Sequence, residues 1–558
     1  RAANADIIVS IAQRRTNDIA YFEDCSRMVR GSVRPPSIHL NNIKIVRRHI
    51  HAEAMADYFR TNPEVFVDRL ESLFDPSSSR PDELIGYLAK RPELLKERLK
   101  RVIPSPLQTK LGIGNWEWLD GQGMNEEDKR ECFIERLANA ARDVQGDWKA
   151  LQQAEKVASQ QKKHKSADFF LRQLNTLKNR SLLGKLGTYG LMPKYGFPTE
   201  VVELKIRGSA KESGEVELQR DMKLALSEFA PGNQVIAGGK VWTSEAVVLP
   251  SSDRKLHEFH YWHCDVCQFF SAENIVSIGS QLAPDKSCYC EASSNTISAK
   301  TYIYPEFGFS TAAGNASGGV GDERPSLKSY SEIFFHDDVA ESGFTPIAGP
   351  LNIHYREANQ GWIHVINNNQ GDDFYICGSC GYATKDNPAY VRSGNTPHIK
   401  PWTSDQNCSN THLERQGLGY RYRTDVLELR FPLEDLDRLG LHGPDDSHSL
   451  WLSVLYALVN GACQALDIDE RDLGGCLYYS QKNHPSLVLF DTAPGGAGFV
   501  HEIRDHFTEV MKNALHLLNC KSCGEDSSCI ACLRTYFNQR DHNRLRRGLA
   551  ERYLRALM

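Results

Sequence analysis

Near the end of the chain, four cysteines fall within thirteen residues: Cys520, Cys523, Cys529 and Cys532. Two thiolates two residues apart sit on a tight turn that points both sulfurs the same way. Two such pairs complete a tetrahedron around Zn²⁺. Four thiolates leave no open position for a substrate, so this cluster offers structural rather than catalytic chemistry. A structural zinc contributes roughly 10–16 kcal/mol of apparent folding free energy, enough to fix a short loop that lacks its own core. The residues that follow, "LRTYFNQRDHNRLRR", place Arg534, Tyr536, Gln539, Arg540 and His542 on that platform. Arginines meet phosphates, and Tyr536 and His542 can stack on bases, so the stretch is a candidate nucleic-acid contact. A surface helix with ordinary charges is the competing reading.

Two further clusters have metal-ligand spacing. Cys264, Cys267, Cys288 and Cys290 form two knuckles about twenty residues apart, in the manner of a zinc ribbon, although a CxC closing pair is unusual. His263, next to the first knuckle, is a substitute ligand. Cys377, Cys380 and Cys408 supply three sulfurs, and His398 or His412 can complete the set, with His398 preferred. Together these clusters predict one to three Zn²⁺ sites. They use eleven of the 15 cysteines; Cys25, Cys132, Cys463 and Cys476 stand alone. No secretion signal is legible, so thiols at these spacings argue for metal rather than disulfides, and for a cytoplasmic protein.

The stretch "LVLFDTAPGGAGFVHEI" offers different chemistry. An apolar strand ends at Asp491, and Gly495, Gly496 and Gly498 let the backbone turn into a helix. Free N–H groups at such a junction can hold an anion, such as a phosphate of DNA or of a nucleotide. A tight turn that packs the helix close to the sheet accounts for the glycines equally well. No GxxxxGK[ST] sequence and no DEAD or DEAH box occurs, so this chain is not expected to hydrolyse ATP unaided.

The elements that must position these groups fill 558 residues, too many for one core. A net charge of −5, with 41% hydrophobic and 25% charged residues, describes an ordinary globular protein with no global positive field. No apolar run approaches the roughly 18 residues that span a bilayer. The start lacks a signal peptide and an initiator Met and reads as the interior of a longer polypeptide. The pattern predicts a multidomain α+β protein. A helical domain occupies 26–185, with Ile43, Val46, Ile50 and Ala54 on one helix face. A β-rich region with the zinc ribbon spans 186–310, and a linker or long loop 311–326. A second β-rich region with the third cysteine cluster covers 327–435. An α/β domain with the four-cysteine zinc module closes the chain at 436–558. There, "SHSLWLSVLYALVNGACQAL" is apolar nearly all round and predicts a buried helix. "FVHEIRDHFTEVMKNALHLL" predicts another.

Several stretches in this order, among them "RPPSIHLNNIKIVRRHIHAEAM", "LGYRYRTDVLELRF", "DTAPGGAGFVHEI" and "CKSCGEDSSCIACLRTYFNQRDH", resemble one family. It is the C-terminal half of large bacterial superfamily-2 DEAD/DEAH-box helicases that end in a four-cysteine zinc domain. The family includes a mitomycin-repair helicase and the helicase component of the Druantia antiphage system. The resemblance implies that residues 1–25 finish the second RecA-like domain, with Arg1 at the end of motif VI as a finger on the ATP γ-phosphate. It implies that ATP and Mg²⁺ act only with upstream RecA-like motor domains of the same polypeptide. The whole protein would then move along DNA, single-stranded or partly duplex, with Arg14, Arg15, Arg47 and Arg48 as phosphate contacts. Antiphage defence or DNA repair is the implied setting, with a defence-system subunit as a further partner and no membrane. The alternative is a non-catalytic zinc scaffold that mediates protein–protein contacts in a defence complex.

Overall fold

The structure is a computed structural model that describes residues 43–123, 129, 131–162, 167, 171, 174–175, 177–193, 201–207, 218–249, 256–274, 285–289, 296–311, 331–336, 343–347, 352–386, 396–403, 405–432, 444–481 and 484–558. Arg1, Arg14, Arg15, Cys25 and Cys290 lie outside the described residues, as does most of the predicted linker.

The first part is helical. Val46, Ile50 and Ala54 of the helix Ile43–Thr61 are buried and Ile43 packs partly against the same core. The long helix Phe133–Gln160 is amphipathic over its first four turns, where Phe133, Leu137, Ala140, Val144 and Trp148 recur every three or four residues and are buried. Its glutamine- and lysine-rich end faces solvent, as the polar composition predicts. Short helices Leu70–Phe74, Arg80–Ala89 and Glu93–Val102 close around these two through Leu73, Phe74, Leu84, Leu88 and Leu95. Fully burying one such side chain contributes about 1.5–3 kcal/mol.

The second part is built on one long strand, Glu414–Arg430. It pairs antiparallel with His354–Asn367 along nearly its whole length. Its far end pairs with His484–Asp491, joining Val426 to Phe490 and Leu429 to Leu487. Near its start it pairs in parallel with Lys300–Tyr304, which carries the ribbon strands His257–His263 and Phe270–Asn274. Strands from all three predicted β-bearing regions share one eleven-stranded sheet. A five-stranded sheet, which includes Val201–Lys205 and Lys240–Val247, packs with the helix Met222–Glu228 on one face of it, over Ile363, Val365, Leu418 and Val426.

The opposite face, at the C-terminal end of the long strand, is covered by the helix Pro444–Ala465. Leu450, Trp451, Val454, Leu455 and Leu458 meet Leu427, Leu429, Leu487 and Leu489 there, and all are buried. The predicted helix "FVHEIRDHFTEVMKNALHLL" is instead two, Phe499–Asp505 and Phe507–Leu518, broken at His506, whose φ and ψ of −111° and 23° are non-helical. The break gives the two segments separate packing: the first contacts the long strand, and the second lies along the Trp451 helix. Among the described residues, no helix is long and apolar enough to cross a membrane.

Candidate metal centres and nucleic-acid interface

The C-terminal thiols converge. Cys520 and Cys529 Sγ lie 3.6 Å apart, Cys523 and Cys532 Sγ 3.7 Å, and Cys529 and Cys532 Sγ 3.8 Å. At a Zn–S bond of about 2.3 Å, a tetrahedron of sulfurs has edges of roughly 3.8 Å. A disulfide would bring two sulfurs to about 2.05 Å. The four free thiols therefore fit a four-coordinate zinc, which they alone would hold. The loop is not without a core, as the spacing suggested: Cys532 and Leu533 are buried in the cluster under the Trp451 helix. Asn460 donates to Cys532 O, and the backbone N–H groups of Arg547 and Gly548 bond back to Ser527 and Glu525. Hydrophobic packing and these hydrogen bonds hold the loop, and the four thiols would add a metal to them.

A second group comprises Cys377, Cys380, His398 and Cys408, all buried. Cys377 and Cys408 Sγ are 4.0 Å apart, and His398 Nε2 lies 3.2 Å from Cys380 Sγ. The other ring nitrogen, Nδ1, is 2.9 Å from Thr396 O, the outer contact that fixes a ligating imidazole. Tyr382 stacks on the ring at 4.8 Å. His412 is exposed and is not part of the group. Cys264, Cys267 and Cys288 make a third group. Its knuckle is closed by the N–H of Gln268 on Cys264 O, with Gln268 at a φ of 58°. His263 is buried, with Nδ1 3.3 Å from Asp265, an exposed carboxylate. The isolated cysteines differ in character. Burial pushes the Cys463 thiol up to about 12 and raises Cys132 and Cys476 as well, so all three are inert.

The glycine turn corrects the anion-site expectation. The N–H of Gly495 bonds to Arg423 O, and that of Gly496 to Ala493 O. The N–H groups of Ala497, Gly498, Phe499 and Val500 converge on the carboxylate of Asp491, at 2.6, 2.6, 3.2 and 3.3 Å. The acceptor at this junction is the chain's own fully buried carboxyl group, which leaves Gly495 and Gly496 no donor for a phosphate. Burial and the adjacent Asp425 carboxylate push the Asp491 pKa up to about 7, against those backbone donors and Lys44. Lys44 Nζ lies 2.6 Å from Asp425 Oδ1.

Arg47 and Arg48 are corrected too. Both are buried, where a strand of DNA has no access. Arg48 donates to Gly495 O at 2.6 Å and to Gly496 O, tying the helical part to the glycine turn. Arg47 lies 3.9 Å from Glu131, which also pairs with Arg136. Burying these guanidiniums is tolerable because carbonyls and a carboxylate meet them. The polar junction of Lys44, Arg48, Asp425 and Asp491 is the feature that motif reading missed. The signal available was an aspartate placed just before a glycine turn and a helix.

Beyond the zinc loop the predicted contacts divide. Tyr536 is 60% exposed, and Gln539 and Arg540 are also on the surface. His542 is turned inward: its Nε2 lies 2.9 Å from Asn538 Oδ1 and 3.1 Å from Thr535 O, and burial lowers its pKa. It braces the loop rather than offering a ring for stacking. Arg534 donates to Ser528 Oγ at 3.0 Å and is half-buried. Beside it runs a groove of about 520 Å³ lined by Ile468, Leu517, Ile530 and Phe537 together with Arg471 and Arg534.

Residues 454–533 match the family model of the MrfA Zn-binding domain, so the four cysteines lie at the C-terminal end of the matched segment. Over 618 aligned positions the chain is 25% identical to the Druantia protein DruE of Escherichia coli (strain UMEA 4076-1), covering 100% of this chain and 32% of that protein. The chain thus spans about a third of the length of the curated relative it matches. Among solved structures it is similar to the DUF1998 helicase MrfA bound to DNA, at 12% identity and a TM-score of 0.29. It is also similar to a second crystal structure of the DUF1998 helicase MrfA, at 12% identity and a TM-score of 0.27. Each comparison covers 64% of this chain and 34% of the other.

Proposed function

We propose, from the premise that this chain is a helicase-family region carrying an MrfA Zn-binding domain, that it is the accessory part of an ATP-dependent DNA helicase or translocase. In this reading it binds the DNA strand and supplies a zinc-stiffened module, while upstream RecA-like domains of the same polypeptide bind ATP and Mg²⁺. Three zinc ions sit in the three cysteine groups, with His398 completing the middle one. The Cys520–Cys532 loop presents Tyr536, Gln539 and Arg540 to a strand: the arginine meets phosphate and the tyrosine stacks on a base. The setting is antiphage defence or DNA repair in the cytoplasm. The observation that carries the reading is the coincidence of a tetrahedral four-thiol site with the segment matched by the zinc-binding family, directly before an exposed aromatic and basic tip.

Fluorescence anisotropy of the purified chain with a labelled single strand, at two salt concentrations, tests it. Binding that weakens steeply as salt rises is expected, with a log–log slope near −0.7 per phosphate contacted. The groove lined by Ile530 and Phe537 favours a second reading, a zinc scaffold that docks a partner protein of a defence complex. No affinity for DNA at low salt would decide for that one.

A further inference from the structure

Two other arginines of the long strand Glu414–Arg430 are paired with acids: Arg415 lies 3.4 Å from Asp373 and Arg430 4.0 Å from Glu428. Arg421 and Arg423 lie over aromatic rings. The Arg423 guanidinium lies 4.6 Å from the centre of the Trp362 ring. Arg421 lies 4.1 Å from the same ring and 4.9 Å from Phe259, which in turn stacks on Tyr302 at 5.0 Å with 17° between the planes. Trp362 is the cross-strand neighbour of Arg423, and His364 that of Arg421. Strand alternation places Arg421 and Arg423 on one sheet face with Asp425, Leu427 and Leu429. The aromatic cluster of Phe259, Tyr302 and Phe270 occupies one end of that face, and the core under the Trp451 helix the other.

We infer that this ladder is a second contact for single-stranded nucleic acid, with Arg423 taking a phosphate and its planar face, beside Trp362, available to a base. The inference rests on the DNA-binding reading above and adds a site outside the zinc domain, on the middle of the sheet. Arg423 is exposed, and no carboxylate among the described residues pairs with it. A guanidinium resting 4.6 Å from a ring centre keeps its charge and its fork of N–H donors, the group that grips phosphate bidentately. Its position is fixed before the ligand arrives, so little side-chain freedom is lost on binding. The acid on the same face, Asp425, already pairs with Lys44 at 2.6 Å and accepts the N–H of Gly498 at 3.1 Å, so its charge is compensated. The exposed guanidinium face of Arg423 serves a base that is already unstacked, which favours a single strand over a duplex.

The test uses the 558-residue chain, a labelled oligo-dT strand and anisotropy across a salt series. Arg423→Glu is expected to weaken binding about tenfold at low salt, and Arg423→Ala to flatten the salt slope by roughly 0.7, the loss of one phosphate contact. Arg423→Lys keeps the charge and should retain the salt slope while binding more weakly than the parent. The side chain is exposed, so all three variants should melt with the parent. If Arg423→Glu binds as the parent does while Arg540→Glu binds more weakly, the ladder is only a brace of the sheet and the inference is overturned, although the DNA reading stands. If the parent itself fails to bind at low salt, the reading beneath falls and this site with it. Equal displacement of the strand by unlabelled duplex would overturn the single-strand assignment.

Discussion

Replacing Gly496 with alanine probes the polar junction through one atom. Gly496 has a φ of +71°, and a Cβ placed there would overlap the carboxylate of Asp425. Gly239 has the same φ of +71° but nothing within 4 Å of its would-be Cβ. An L-residue in the left-handed region costs roughly 1–2 kcal/mol, and Gly239→Ala should cost only that. Gly496→Ala must also push a buried carboxylate off Lys44, and breaking a buried ion pair costs about 3–5 kcal/mol. The total is on the order of 4–7 kcal/mol, a shift of roughly three to five powers of ten in the opening equilibrium. Amide hydrogen exchange by mass spectrometry reads that opening locally. Exchange should accelerate in the peptides covering residues 43–61 and 491–505, because Arg48 bonds to the carbonyls of Gly495 and Gly496. The strands His257–His263 and Phe270–Asn274 should be unaffected. Equal costs for the two alanines, or acceleration confined to the zinc loop, would refute the reasoning.

Further outcomes follow from the same geometry. Elemental analysis should find about three Zn per chain, one for each thiol group; Cys523→Ser should remove one and loosen the terminal loop, leaving the central sheet folded. His398→Ala should lose the middle metal, whereas His412→Ala, at an exposed position, should keep it. Asp491 carries a pKa raised from 3.8 to about 7, so the folded state holds its proton more tightly than the unfolded one. That contribution is complete below pH 4 and is lost as pH rises through 7; at about 1.4 kcal/mol per pH unit it is bounded at roughly 4 kcal/mol. Denaturation of the parent minus that of Asp491→Asn, measured from pH 4 to 8, should show this slope, and a pH-independent difference would contradict it. Tyr536→Ala should weaken strand binding by about 1–3 kcal/mol in the anisotropy assay, the usual loss for a stacked base.

What the sequence made legible was local. The spacing of Cys520, Cys523, Cys529 and Cys532 announces a metal because four ligands lie within one loop. The Ile43 helix and the Trp451 helix can be read because burial repeats along each segment. Contacts between distant segments left no such trace. The sequence shows Arg47 and Arg48 as a basic pair, but their burial depends on Glu131 and on carbonyls 447 and 448 residues beyond Arg48. The glycine turn reads as an anion site, but its N–H groups are taken by the carboxyl of Asp491 from the preceding strand. The stack of Arg423 on Trp362 joins residues of two strands and could not be seen from either alone.

The long strand Glu414–Arg430 also has a mechanical consequence. Because its ladders run from the ribbon strands to the strand beside the Trp451 helix, it acts as a beam between them. A load between the ribbon strands and the strand His484–Asp491 falls on backbone hydrogen bonds loaded together, which resist shear far better than bonds broken one at a time. The helical part meets this beam through the Lys44–Asp425 ion pair, beside the bonds from Arg48 to Gly495 O and Gly496 O.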